Sequence, residues 1–522
     1  MRLNLPKSLL YSSAPFAVAC LLGCNEITYE KPNIVIIYAD DIGYGDLSCY
    51  GATAVKTPNV DRLSAEGILF TNAYACAATS TPSRYGMLTG QYPFRRRISI
   101  INGDSPMIIS KDQYTVASLM KDAGYSTAVI GKWHLGLGDE FNRQNWNGLI
   151  TPNPSNIGFE YHYIMAATGD RVPCVDIENG RVVNLNPDDP IEISYTNPFE
   201  GEPLGSTHPE LLKMHPSHRH DGAIVNGISR LGFQRGGKSA HWVDENWADT
   251  ITLKAVKFIE ENNPKITGKP FFLLFGTHDI HVPRVPHSRF IGTTDMGPRG
   301  DCIVQFDWSV GQILEVLDKL ELNKNTLVVL SSDNGPVVDD GYKDHAVERL
   351  NEHKPWGPFR GGKFSSFEAG TRIPFIVRWP RAIKKSKISE VAISQIDLFG
   401  VMAQLTHQTI PDNIAQDSFK ELNTWLGKTQ KGRSFVVQQS ISNTLSLVQD
   451  NWKYIEPSPN PRRYIPAKNI ELGDDTIPQL YNLKVDPGES VNVAIQNLKL
   501  VQELMNLLEG IKKNPVTREI KE

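Results

Sequence analysis

The sequence predicts an α/β protein: a large mixed, mainly parallel sheet flanked by helices, with a smaller C-terminal antiparallel-sheet subdomain. A continuous apolar run at residues 33–38 reads as a strand buried on both faces, and 271–275 and 325–331 read as further core strands. Helical patterns separate such runs, which is the strand–helix–strand rhythm of a parallel sheet. From about residue 433 the rhythm changes to short strands with hairpin spacing, at residues 434–438, 444–449, 452–455 and 479–483.

The 522 residues exceed one small domain. The expected division is a signal segment at 1–23, a large α/β domain at 24–425 and an α+β subdomain at 426–522. Apolar content of 40% and charged content of 21% are ordinary for a globular protein. A net charge of −4 argues against nucleic acid, which wants a broadly basic surface. An anionic ligand must therefore meet a local basic site. At the N-terminus, Arg2 and Lys7 precede an apolar stretch at 8–22. It ends in Leu21-Leu22-Gly23-Cys24, similar to a bacterial lipoprotein cleavage box, with Cys24 as the lipidated residue. Ordinary cleavage near Ala17-Val18-Ala19 is the alternative. Either way the expectation is an exported protein, periplasmic or at the cell surface. It would meet the membrane only through that lipid, because no later stretch reaches the ~20 apolar residues of a spanning helix. Of six cysteines, Cys49, Cys76, Cys174 and Cys302 lie beyond the signal segment and Cys24 without close pairing, so buried free thiols are favoured over a disulfide or metal site.

Taken in order, the first strand ends in Asp40-Asp41, then Gly43 and Gly45. Adjacent carboxylates at a strand's C-terminal end sit where open α/β sheets bind ligands, and hard oxygens suit Ca²⁺ or Mg²⁺. A solvated turn is the plainer reading of an isolated Asp-Asp. Residues 58–67 read as a helix with Thr57 as cap and Pro58 at its first position, and 68–74 as a short strand. Residues 83–88 form a helix stopped by Gly90. That places Ser80 at a helix N-terminus, where unpaired N–H groups favour an anion, with Arg84 one turn on. A capping serine is the bland alternative. A helix at 114–124 and a strand at 126–130 follow, then Lys132 and His134, which would face the same way in an extended segment.

Residues 142–244 are long, irregular and rich in Gly, Pro and Asn, as recognition insertions are. They contain Asp170-Arg171, a candidate sugar-hydroxyl pair or equally a structural ion pair, and the histidines His215, His218 and His220, for which metal binding is the lesser reading. After a helix at 244–262, the strand at 271–275 leads to His278 and His281. A helix at 300–320 precedes the strand that ends in Asp333-Asn334. His345, His353, Lys354 and Trp356 precede Gly361-Gly362-Lys363 and are candidates for a pocket rim. A strand at 373–379, a helix at 396–405 and a terminal helix at 498–511 complete the chain.

The stretch Ser80-Thr81-Pro82-Ser83-Arg84, continuing to Leu88-Thr89-Gly90, resembles the signature of the formylglycine-dependent type I sulfatases, in its serine form. The stretch Gly124-Tyr125-Ser126-Thr127-Ala128-Val129-Ile130-Gly131-Lys132-Trp133-His134-Leu135-Gly136 resembles the second signature of that family. His281-Val282-Pro283, Asp333-Asn334-Gly335 and the block from Gly361 through Glu368 to Pro374 match further, with Ala369 in place of the usual Gly. The resemblance implies an alkaline phosphatase-like fold and a metal site of Asp40, Asp41, Asp333 and Asn334 with Ser80. It implies one Ca²⁺, with Mg²⁺ as the alternative. Ser80 would be oxidised to formylglycine by a serine-type maturation enzyme. Arg84 would hold the hydrated aldehyde, and Lys132 and Lys363 the sulfuryl oxygens. His134 would act as base, and His281 with Lys363 would protonate the leaving alcohol. The implied activity is hydrolysis of sulfate esters on an exported glycan, galactose or N-acetylgalactosamine being the expected sugar. A phosphomonoesterase or phosphodiesterase of the wider superfamily using unmodified Ser80, and an inactive glycan-binding lipoprotein, are the competing readings.

Overall fold

The computed structural model describes residues 31–141, 144–462 and 464–518. The signal segment and the Cys24 lipidation site lie outside the described residues. The core strands in chain order are β1 (Asn33–Ala39), β2 (Ile68–Phe70), β3 (Ser126–Lys132), β4 (Tyr161–Met165), β5 (Asp176–Glu178), β6 (Arg181–Val182), β7 (Phe271–Gly276), β8 (Thr326–Ser332), β9 (Phe375–Arg378) and β10 (Lys387–Ser389). They form one sheet in the order β10-β2-β9-β8-β1-β7-β3-β4-β5-β6. The five central strands, β8, β1, β7, β3 and β4, run parallel. Antiparallel β9 on one side and β5 on the other make the sheet mixed.

The parallel centre explains the apolar runs. β1 and β7 are buried at every position because helices cover both faces. The principal helices are α1 (Pro58–Ala65), α2 (Ser80–Thr89), α3 (Val116–Asp122), α4 (Asp244–Glu261), α5 (Pro298–Lys319), α6 (Leu398–Leu405) and α7 (Leu498–Lys513). Helices α4 and α5 pack together, and Ile251, Phe258, Phe306 and Ile313 join Val35, Ile37 and Leu273 in one hydrophobic core cluster. A second, antiparallel sheet follows: β11 (Val436–Gln439), β12 (Leu445–Gln449), β13 (Trp452–Ile455) and β14 (Gln479–Asn482). Helix α7 buries Val501, Leu504, Leu508 and Ile511 against it. An isolated bridge from Ala77 to Gln439 ties this sheet to the segment just before α2.

Three local expectations are corrected. The strand expected at 68–74 is broken: Ile68–Phe70 joins the main sheet, whereas Ala73–Tyr74 pairs with Ile393–Ser394. Thr57 does not cap α1 with its side chain, because its hydroxyl pairs with Ser48. The first N–H groups of α1, on Asn59 and Val60, donate instead to Asp307 of α5, at 3.0 and 2.9 Å. The irregular 142–244 stretch contributes β4, a core strand. Cys49, Cys76, Cys174 and Cys302 are free thiols, three of them buried. Among the described residues no helix is long and apolar enough to cross a membrane.

Candidate active site

Four adjacent parallel strands deliver their C-terminal ends to one edge of the sheet. β8 leads into Asp333-Asn334, β1 into Asp40-Asp41, β7 toward His278 and His281, and β3 ends on Lys132. The close approach of β3 and β7 requires glycine. Gly131 faces Gly276 at φ +106°, and a Cβ there would come within 1.9 Å of the Gly276 carbonyl oxygen. Helix α2 stands over this edge. All ten of its residues are buried, and Gly90 ends it at φ +63°.

Ser80, the first residue of α2, therefore points into the carboxylate cluster. Its Oγ lies 3.4 Å from Asp40 Oδ1 and 3.2 Å from Asn334 Oδ1. Lys132 Nζ donates to the same Oγ at 3.0 Å and sits 2.6 Å from Asp40 Oδ2. Arg84, one turn along α2, clasps Asp333 through Nε at 3.0 Å and Nη2 at 2.8 Å, and its Nη1 donates to the Lys132 carbonyl. Asn334 Nδ2 donates to Asp41 Oδ1 at 2.7 Å, and Lys363 Nζ reaches Asp41 Oδ2 at 2.7 Å. Asp41 adopts φ +59° to do this, the sort of backbone strain that collects at functional sites.

Asp40, Asp41 and Asp333 are fully buried, and each offers an oxygen within 4.8 Å of the others. Like charges so placed oppose one another. Burial first, and then Asp333 and Asp41, push the Asp40 carboxyl up to about 7 against the pull of Lys132. Burial also acts on Asp333, but Lys132, Arg84 and Lys363 outweigh it and hold that carboxyl well below the usual range. Burial lowers Lys132, opposed by Asp40 and Asp333. The donor set is hard oxygen, with the Asn334 and Ser80 oxygens alongside, and it fits a divalent cation such as Ca²⁺ or Mg²⁺.

Two histidines present free lone pairs. Burial holds both His134 and His281 well below the ordinary imidazole range, so both are neutral near pH 7. His134 Nε2 lies 3.1 Å from the Ile101 carbonyl oxygen and so carries the proton, leaving buried Nδ1 without a hydrogen-bond partner. His281 Nδ1 lies 2.8 Å from the Val282 carbonyl oxygen, so its Nε2 lone pair faces the site, 3.9 Å from Asp41. The sequence places Lys132 and His134 in one extended segment. The structure corrects this: the chain leaves β3 at Lys132, and His134 turns inward at φ +55°.

Ser80, His134, His281 and Lys363 line the floor of a cavity of about 290 Å³. Asp170 and Arg171 line its wall. They pair with each other at 2.8 Å, so the ion-pair and cavity-lining readings hold together. The loop that carries them is clamped from behind. His278 accepts from the Gly169 N–H at 2.9 Å, and Arg230, paired with Asp244, donates to the Gly169 carbonyl at 2.6 Å.

Several cavity residues are not among the site candidates that the sequence offers, His220, Asp340 and Lys468 with Arg219 and Arg462 among them. His220 Nε2 holds Asp170 Oδ2 at 2.9 Å; it belonged to a visible histidine cluster but its partner was not apparent. Asp340 contacts both Lys363 and Lys468, and no local motif marks either Asp340 or Lys468. Among the described residues the groups spaced for a metal do not include His215, His218 or His220. His345, His353, Lys354 and Trp356 do not line this cavity. His353 instead pairs with Asp46 at 2.8 Å, beside the buried Arg299–Asp46 ion pair, and His345 borders a separate hollow with Asp339 and Tyr342.

The chain is similar to known proteins. A family model described as sulfatase matches residues 32–408. An N-acetylgalactosamine-6-O-sulfatase of Bacteroides thetaiotaomicron is 52% identical over 503 residues, which is 95% of this chain and 97% of that protein. Human steryl-sulfatase is 29% identical over 77% of this chain and 71% of its own length. A solved structure from work on glycosaminoglycan metabolism in Bacteroides thetaiotaomicron superposes with a TM-score of 0.90 at 52% identity. It covers 93% of this chain and 100% of that one.

Proposed function

Because the chain belongs to the sulfatase family and is a sulfuric ester hydrolase, we propose that it removes the 6-O-sulfate from N-acetylgalactosamine in a sulfated glycan. The observation that carries the chemistry is the position of Ser80, at a buried helix start between Lys132 and a carboxylate cluster. The sugar is proposed from the 52% identical relative.

Sulfate ester hydrolysis cleaves an S–O bond with water, giving an alcohol and sulfate. Negative charge must be met on the sulfuryl oxygens and on the departing oxygen. Ser80 would be oxidised to formylglycine by a maturation enzyme. In its hydrated form that aldehyde would supply a hydroxyl nucleophile for sulfur and a second hydroxyl for the later release of sulfate. Asp40, Asp41, Asp333 and Asn334 would hold the divalent cation, which supplies positive charge to the reacting oxygens. Arg84, fixed by Asp333, orients the nucleophilic side chain. Lys132 and Lys363 face the sulfuryl group as point charges. His134 takes a proton at its free Nδ1. His281 delivers one to the leaving oxygen from Nε2, and the bound sulfate ester offsets the burial penalty on its charged form. Asp170, Arg171 and His220 bind sugar hydroxyls at the cavity wall. We further propose export with a lipid on Cys24, facing the periplasm or the cell exterior, and a boundary near residue 425 between catalytic domain and C-terminal subdomain.

Release of sulfate from N-acetylgalactosamine 6-sulfate by matured protein is the direct test, read by ion chromatography. Steady turnover, abolished by chelation and restored by Ca²⁺ or Mg²⁺, is the expected result. Turnover of phosphate monoesters by protein with unmodified Ser80, and none of the sulfate ester, would overturn the proposal.

A further inference from the structure

The cavity carries more positive charge than one sulfate ester requires. Five cationic side chains and two carboxylates line it, in a chain of net charge −4. Both carboxylates are already answered. Asp170 lies between Arg171 and His220, and Asp340 between Lys363 and Lys468. The scissile sulfate falls to Lys132 and Lys363 on the floor. Arg219 and Arg462 remain. Both are exposed and line the same cavity, one from the 142–244 insertion and the other from the segment between β13 and β14. Among the described residues neither has a carboxylate within ion-pair distance. The backbone at this wall is strained as well, since Arg219 and His220 both adopt positive φ, at +58° and +43°. Left-handed non-glycine residues cost energy and persist where the surrounding structure holds them.

We propose that Arg219 and Arg462 form a second anion subsite at the cavity mouth, which takes a further negative group carried by the same glycan. This inference rests on the reading of the cavity as a 6-O-sulfated galactosamine site. Two guanidinium groups suit a sulfate ester or a carboxylate equally well, since both present a pair of oxygens to a planar fork. The group therefore comes either from a second sulfate on the same sugar or from a uronate on the neighbouring sugar. The floor performs the reaction and the mouth selects a polyanionic chain over a singly sulfated one. At the mouth the arginines are open to water, so their contribution is screened by salt.

Steady-state kinetics on four substrates tests this: N-acetylgalactosamine 6-sulfate, its 4,6-disulfate, a 6-sulfated disaccharide with a uronate neighbour and the same disaccharide with a neutral hexose. At least one doubly anionic substrate should show a KM lower by about 10-fold with kcat unchanged, an advantage worth about 1.4 kcal/mol. Which one shows it identifies the source of the charge. The double variant R219A/R462A should lose that advantage and keep wild-type kinetics on the monosulfate. Raising NaCl to 0.5 M should erode the advantage in the same way. Equal KM within both pairs in the wild type, monosulfate with disulfate and uronate with neutral disaccharide, would overturn the subsite, as would an equal loss on every substrate in the double variant. Failure of the wild type on all four substrates would instead overturn the functional reading. Calorimetric titration of all four saccharides into Ser80→Ala protein then decides the subsite by itself: tighter binding of the disulfate than of the monosulfate, or of the uronate disaccharide than of the neutral one, supports it, and equal binding within both pairs overturns it.

Discussion

The floor and the mouth of the cavity are built on opposite plans. On the floor, Asp40, Asp41, Asp333, Asn334 and Lys132 hang from the ends of adjacent parallel strands, fully or almost fully buried and bonded to one another. At the mouth, Arg171, Arg219, Arg462 and Lys468 come from loops and a short hairpin, partly or wholly open to solvent. A reaction needs groups held to within fractions of an ångström, so its residues sit on the rigid sheet. Substrate choice needs surface that can vary without disturbing that sheet, so it sits on insertions. The fold separates what is done from what it is done to.

If that separation is real, substitutions should split by region, and the largest effect belongs to the floor. Ser80→Ala should lower kcat by about 10⁴-fold or more, with binding of sulfated saccharide retained in calorimetry. A loss of binding instead would break the distinction. Next comes the clamp behind the wall. Arg230→Ala frees the Gly169 carbonyl and leaves the Asp244 carboxylate without its ion-pair partner. It should raise KM by about 10-fold through the displaced Asp170-Arg171 loop while kcat falls little. The smallest effect is expected at Lys468. Burial pulls its ammonium down to about 8, opposed by Asp170 and Asp41. Because the charged form is the one lost on raising pH, one of the positive charges at the mouth, that of Lys468, fades above about pH 8 while the arginines stay charged. KM for a sulfated saccharide should then rise a few-fold between pH 7 and 9, and Lys468→Met should flatten that limb without moving kcat. A matching drop in kcat would place Lys468 in the chemistry and blur the two regions.

The same division governs what the sequence reveals. The floor is legible because each of its residues sits at the end of an expected core strand or inside a compact motif: Asp40-Asp41 after 33–38, Asp333-Asn334 after 325–331, Ser80 to Arg84 at a helix start. The mouth is assembled over long range. Lys468 meets Asp340 across the C-terminal segment, and His220 meets Asp170 across 50 residues. Nothing local announces those pairings. For the same reason His353 reads as a rim residue until Asp46 and Arg299 are seen to bury it. The strand Tyr161–Met165 stays hidden because its polar rings, such as His162 and Tyr163, break the apolar pattern that marks β1 and β7. Its burial arises only when β3 lies beside it. The antiparallel direction of β9 is likewise a property of the connection before it, not of its own residues.

The central claim is that the floor works through an oxidised Ser80. The tryptic peptide spanning residues 63–84 contains that residue and ends at Arg84. Its intact mass, on protein purified from its natural host with turnover measured on the same sample, is the direct test. The account predicts a peptide lighter by two hydrogens, located to Ser80 by fragmentation and present in proportion to activity. Fully active protein with an unmodified serine at that position would contradict it.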